Sequence, residues 1–163
     1  MLRLGAVALA FVSACAGPQV QDETVVTDTR QRLLDRIGNI SDFSLPRPLV
    51  TLEEFFEGND DYGSIGYNFY PDQPAPSEFW QFFTAIRDRE NVATVLVQVM
   101  DQEDSDGWPS TDTVWVITSA SPDDVKAWLG ERFQADELII GLPDHVEQVE
   151  IPGEHEAIGV WYD

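Results

Sequence analysis

Cysteine, lysine and histidine are almost missing from this 163-residue sequence. Cys15 stands alone, which excludes an intramolecular disulfide and a cysteine-rich zinc site. Lys126 is the only lysine, beside eight arginines, and His145 and His155 are the only histidines. Positive charge is scarce throughout: 9 basic residues stand against 30 acidic ones, for a formal net charge of −21. That field repels phosphate, so nucleic acid and anionic headgroups are poor partners, and a protein or a cationic ligand is the expected one. A surface so acidic and so poor in lysine suits a salty medium, where self-repulsion is screened; solubility or genome composition accounts for it equally well.

Long apolar runs are missing too. The longest, Leu4–Ala14, has eleven residues, whereas a bilayer span needs about 20. There is no P-loop and no dinucleotide-binding glycine run, and no G-x-S-x-G elbow surrounds Thr118, Ser119 or Ser121. Carboxylates are so numerous that no pair stands out as an acid and its base. Nothing in the sequence asks for a cofactor.

What is present begins with a leader. Arg3 precedes the apolar run, and small residues close it, which is the pattern of an export signal. Val12-Ser13-Ala14-Cys15 resembles the lipobox of bacterial lipoproteins. That resemblance implies a signal peptide over 1–14, a Cys15 lipidated on its thiol with a palmitate-type chain, and a domain held at the cell envelope, facing outward from the cytoplasm. More than one acyl chain on one residue gives stable anchoring, where a single chain holds only marginally. Loss of Arg3 with the leader leaves 8 basic and 30 acidic residues, a net of −22. Residues 15–48 then read as anchor and tether, with a short helix over Thr29–Ile37 stopped by Gly38 and two prolines within Ser44–Pro48.

A single α+β domain is expected over 49–163. Thr51-Leu52-Glu53-Glu54 is a capping box at the head of a short helix that carries Phe55 and Phe56 inward. Ser64–Tyr70 alternates, with Ile65, Tyr67 and Phe69 on one face, and is predicted as a strand. Ser77 to about Arg89 has helical apolar spacing at Phe79, Phe82, Phe83 and Ile86. Val92–Met100 and Thr113–Thr118 are the strongest predicted strands, joined by the acidic loop Gln102–Asp112. Ser121-Pro122-Asp123-Asp124 is a helix start, with a cap, a proline at the first position and acids at the positive dipole end. Glu137–Ile140 reads as a short strand, Asp144–Glu156 as a polar insertion and Ala157–Tyr162 as a closing strand. Without the first helix and the 137–156 insertion, the order is βαββαβ, the ferredoxin-like arrangement of an antiparallel sheet with helices on one face. A different α+β sheet, in which 137–140 pairs in place of 157–162, is the alternative.

Arg47-Pro-Leu-Val-Thr-Leu-Glu-Glu-Phe-Phe-Glu-Gly-Asn-Asp-Asp, Gly63-Ser-Ile-Gly, Trp108-Pro-Ser-Thr-Asp-Thr-Val-Trp-Val-Ile-Thr-Ser-Ala and the terminal Val160-Trp-Tyr-Asp resemble a group of small bacterial proteins without an assigned function. The resemblance covers about residues 47–163 and implies a stand-alone domain.

Three candidate sites follow. In the acidic loop, Asp104 and Asp106 with Gly107 have part of the spacing of a calcium loop, but Thr113 stands where the bidentate glutamate belongs, and a solvated hairpin tip explains them. Glu154-His155-Glu156 with His145 matches no zinc spacing. Tyr67, Trp115 and Trp161 lie on predicted strands as aromatics that are either core or, if the second sheet face is open, contacts for a partner. The expected function is therefore a non-catalytic, membrane-tethered binding or interaction module. A cytoplasmic accessory or inhibitor-type protein that meets a basic partner is the alternative, and a small carboxylate hydrolase comes last.

Overall fold

The hairpin expected at the centre is there. In the computed structural model, which describes residues 23–69, 71–101 and 106–163 (side chains from residue 28), β2 (Val92–Gln98) pairs with β3 (Thr113–Thr118) antiparallel, with Val97 opposite Val114 and Leu96 opposite Trp115. Around them, in chain order, come α1 (Glu23–Ile37), β1 (Leu49–Thr51), α2 (Leu52–Phe56), α3 (Pro76–Arg87), α4 (Pro122–Leu129), β4 (Glu137–Ile140) and β5 (Glu156–Trp161). The five strands form one antiparallel sheet in the order β1-β2-β3-β5-β4. β3, α4 and β4 make a split βαβ unit, because β5 enters between β3 and β4 and runs antiparallel to both. The protein is thus α+β, with an arrangement roughly of the ferredoxin-like kind. The closing strand and 137–140 both pair, so neither replaces the other.

The helices start where their caps dictate. Thr51 Oγ1 accepts the Glu54 N–H at 3.1 Å while Glu54 Oε2 accepts the Thr51 N–H at 2.7 Å. Ser121 and Asp124 close the same box on α4, with Pro122 at its first position. α3 begins one residue before Ser77: Pro76 supplies the fixed φ, and Glu78 reaches back to the Ala75 N–H at 2.8 Å.

Strand alternation splits the apolar residues between two layers. On one face Val50, Val95, Val97, Val114, Val116, Ile158 and Val160 meet Leu33 of α1, Phe55 of α2, Phe79 and Phe83 of α3, and Val125 of α4. On the other, Leu49, Trp115, Ile117 and Ala157 meet Val146, with Leu142, Val149 and Ile151 packed against them. The second face is therefore not open. The stretch over 142–151 covers it, and α1 lies on the opposite side.

Two further expectations fail. Ser64–Tyr70 is not a strand. Asp61 caps a 3₁₀ turn at Tyr62–Ser64, Ile65 makes one bridge to Thr111, and Gly66 at φ +64° turns the chain so that the Phe69 N–H donates to the Gly66 carbonyl. That kink leaves Tyr67 78% exposed while Phe69 packs on Phe79. The first strand is instead Leu49–Thr51, too short to show periodicity. Nor is 29–48 a tether: α1 extends back to Glu23, and Leu33, Ile37 and Ile40 are buried in the main core. Burial of Leu33 alone is worth about 2 kcal/mol, so the folded unit begins well before residue 49.

Gly159 lies opposite Trp115, and a Cβ there would sit 2.9 Å from two carbons of the indole. The indole cannot swing away, since its N–H donates to Gln98 Oε1 at 2.9 Å. Gly159→Ala is expected to lower stability by about 1–3 kcal/mol, read as a shift in the urea midpoint. Glu53 of α2 meets Arg87 of α3 at 2.6 Å, and this hydrogen bond holds the Glu53 carboxyl below its ordinary value of 4.5. A depressed carboxyl stabilises above the unfolded value and stops doing so as pH falls through the folded one. Wild type should therefore exceed Glu53→Gln in melting temperature at pH 7, with the gap closing below pH 4.5.

Candidate binding cleft

The same turn that breaks the predicted strand builds one wall of a cleft of about 510 Å³. The opposite wall is the arm from Gly107 to Asp112, and Tyr162 and Asp163 close one end. Asp61 fastens the two walls: its Oδ1 accepts the Gly63 N–H at 2.8 Å, and its Oδ2 accepts the Trp108 N–H at 3.1 Å. The Thr111 N–H donates to the Ser64 carbonyl at 2.8 Å, and the Tyr162 N–H to the Asp112 carbonyl at 2.8 Å. From behind, Arg30 of α1 donates through Nε to the Gly107 carbonyl at 2.8 Å. The cleft is held by hydrogen bonds that join four separated segments of the chain.

Its lining is acidic and aromatic. Asp61, Asp112 and Asp163 contribute carboxylates, and no described lysine or arginine lines it. Tyr67 stands at the rim. Asp112 Oδ1 accepts the Thr113 hydroxyl at 2.7 Å, and Asp163 is exposed. Tyr162 is buried, and that burial, with the negative charge of Asp136 as a second cause, pushes its phenol pKa well above the ordinary range. It is therefore a neutral wall of the cleft. Trp108 is 7% exposed, and among the described residues its indole N–H is the one buried side-chain donor without a partner. That nitrogen has almost no accessible surface and its ring packs in the main core, so it is an unpaired donor within the packing rather than one offered to the cleft.

The chemistry on offer is attraction of a positive group, by carboxylates and by aromatic rings. Proton-transfer geometry is less developed. Both oxygens of Asp61 are occupied structurally, the Ser110 hydroxyl donates to the Asp101 carbonyl and the Thr111 hydroxyl to the Thr113 carbonyl. Neither histidine lines the cleft: His145 is exposed on the 142–151 stretch, and His155 Nδ1 lies 2.9 Å from the Pro152 carbonyl.

Of the residues singled out from sequence, Tyr67 lies in the cleft, as does Gly107 of the acidic loop. Trp115 is fully buried beneath the 142–151 cover, which makes it core and removes it as a contact. Trp161 is half-buried and outside the cleft. Asp106 is exposed beside the arm, while Asp104 and Cys15 lie outside the described residues. Among the described residues no group of three or more metal-ligating side chains could hold an ion, and no helix is long and apolar enough to cross a membrane. Sequence reasoning reads Asn59-Asp60-Asp61 as a turn and as a weaker acidic candidate than the 101–107 loop, and it missed Trp108, Asp112 and Asp163. The usable signal was Trp108, a large aromatic followed by proline at the base of an otherwise polar loop.

Trp108→Phe removes the orphan donor but also leaves a cavity in the main core. The lost packing costs a few kcal/mol at most and is partly offset by the roughly 1–3 kcal/mol that an unpaired buried N–H costs, so the variant should melt only slightly below wild type. Trp108→Ala, which lacks the ring altogether, should lower the melting temperature much further.

Comparison with known proteins agrees with the fold's extent. The family model described as "Uncharacterized protein YfbO family" matches residues 28–160, which begin inside α1. "Uncharacterized protein YfbO" of Escherichia coli (strain K12) is 37% identical over 134 residues, covering 81% of this chain and 94% of that one. No solved structure matches. With the match running from within α1 to within β5, the chain belongs to the YfbO family.

Proposed function

We propose that this protein is a non-catalytic binding module for a cationic ligand, held at the cell envelope by a lipid on Cys15. The observation that carries the binding half is the acidic, aromatic lining of the cleft, which holds no described lysine or arginine. A ligand that fits carries a positive group for Asp61, Asp112 and Asp163, as a basic side chain does. The anchoring half rests on Val12-Ser13-Ala14-Cys15. The leader lies before residue 28, where the family match starts, as suits an address appended to a domain.

Each half has its own test. Titration of the full chain with an arginine-containing dipeptide should give saturable binding by calorimetry. Asp112→Asn should weaken it about tenfold, because a hydrogen bond to a charged group is worth roughly 1.5–3 kcal/mol. Equal affinity in wild type and Asp112→Asn would remove the cleft as the site. For the anchor, labelled palmitate should enter the wild-type chain and not Cys15→Ser, and the variant should leave the membrane fraction. An unlabelled wild-type chain that stays with the cytoplasmic fraction would end the lipoprotein reading.

A further inference from the structure

The two edges of the sheet are finished differently. At the β1 edge, the Val99 N–H donates to the Pro48 carbonyl, so alternation turns the Leu49 backbone outward. Both outward groups are capped by side chains: the Leu49 N–H donates to Glu147 Oε2 at 2.9 Å, and its carbonyl accepts from Arg36 at 3.0 Å. Arg36 and Glu147 meet at 3.3 Å, so an ion pair lies along this edge as a plug. Such a device blocks strand addition.

At the β4 edge nothing comparable is present among the described residues. The Gly141 N–H donates to the Ala157 carbonyl, and the register pairs Ile139 with Gly159. By the same alternation, Leu138 and Ile140 turn their N–H and carbonyl groups away from β5. Ile140 is also 49% exposed, an apolar side chain on an open edge. Next to this edge, between α4 and β4, runs a groove of about 250 Å³ whose apolar part is Pro122, Leu129 and Leu138. Asp123, Asp136 and Glu137 also line it, with Lys126 as the single positive residue.

We propose that β4 is a docking edge for an extended, basic peptide segment of a partner protein, which adds as a sixth strand and places an apolar side chain in the α4–β4 groove. Main-chain hydrogen bonds to Leu138 and Ile140 supply the pairing, and alternate side chains supply the choice of partner. Charge decides the occupant. The groove is net acidic on a chain of net charge −21, so a second copy brings like charge to the same line, whereas arginine or lysine beside the apolar anchor is attracted. This edge lies apart from the cleft and does not depend on it.

The test uses the full chain and the synthetic peptide Arg-Val-Arg-Val-Arg-Val, with amide hydrogen exchange as the readout. The peptide should slow exchange at Leu138 and Ile140 by tenfold or more at saturation. The same peptide with alternate backbone nitrogens methylated keeps its charge and should give no protection. Ile140→Pro removes only an outward N–H and should fold but not respond; Ile140→Lys, a surface change, should weaken binding through charge. Protection confined to residues 61–68 and 107–112 would place the peptide in the cleft and overturn the proposal. Protection of Leu138 without peptide that grows with protein concentration would make a second copy the occupant and overturn it as well, as would no protection at all or equal protection by the methylated peptide.

Discussion

One indole sets the register of the three central strands. Trp115 of β3 stands opposite Gly159 of β5, and its ring fills the space that a side chain there would take. Its N–H reaches across β2 to Gln98, two residues along from Leu96, its direct partner. A slip of one residue between β3 and β5 would bring Ile158 or Val160 against the ring, and a slip between β2 and β3 would leave a buried amide and a buried N–H unpaired. Either costs several kcal/mol, a large part of the net stability of a small domain. Gln98 is buried because Trp115 satisfies it, and its own amide in turn contacts the Met100 sulfur.

That lock has a consequence for the layers. A tryptophan in mid-sheet on the face away from the helices needs cover, and the polar-looking stretch after β4 provides it with Leu142, Val146, Val149 and Ile151. Arg47 and Glu147 then tie this cover to the entry of β1: the Arg47 N–H donates to the His145 carbonyl at 2.8 Å, and the Glu147 N–H to the Arg47 carbonyl at 2.9 Å. With both sheet faces covered among the described residues, the surfaces that remain are where loops meet, as at the cleft, and where the sheet ends, as at β4.

What sequence made legible follows from which signals are local. The capping boxes at Thr51 and Ser121, the central hairpin and the apolar faces of α3 and α4 depend on residues within a few positions of each other, and all of them are found. The alternation at Ser64–Tyr70 misled because Ile65 is buried and Phe69 half-buried for different reasons, one through a bridge to Thr111 and one by folding back after Gly66. The two glycines at 63 and 66 were the warning. Leu33, Ile37 and Ile40 had helical spacing, but nothing local says whether such a face meets a core or water. The cleft was illegible for a stronger reason. Asp61, Trp108, Asp112 and Asp163 come together only through long-range hydrogen bonds, and in a chain of 30 acids no single aspartate is distinctive.

The imbalance of arginine over lysine also acquires a structural reason. Arg30 braces Gly107, Arg36 caps Leu49, and Arg47 reaches the Ile40 carbonyl with its guanidinium over the Phe43 ring. Arg87 joins α3 to α2, Arg132 joins the segment after α4 to Asp72 and Glu78, and Arg89 lies over Trp128. All but Arg47 bridge segments more than ten residues apart, usually through a backbone carbonyl, a task that a planar fork with five donors does better than a point charge on a flexible stem. The few cations are thus spent as internal struts. Their guanidinium groups engage the protein's own carbonyls and carboxylates, while Arg36 and Arg132 stay 42% and 47% exposed. Lys126, the one cation without such a forked head, stands in the groove beside β4. The charged groups of this chain are mostly carboxylates, with 30 acidic residues against 9 basic ones.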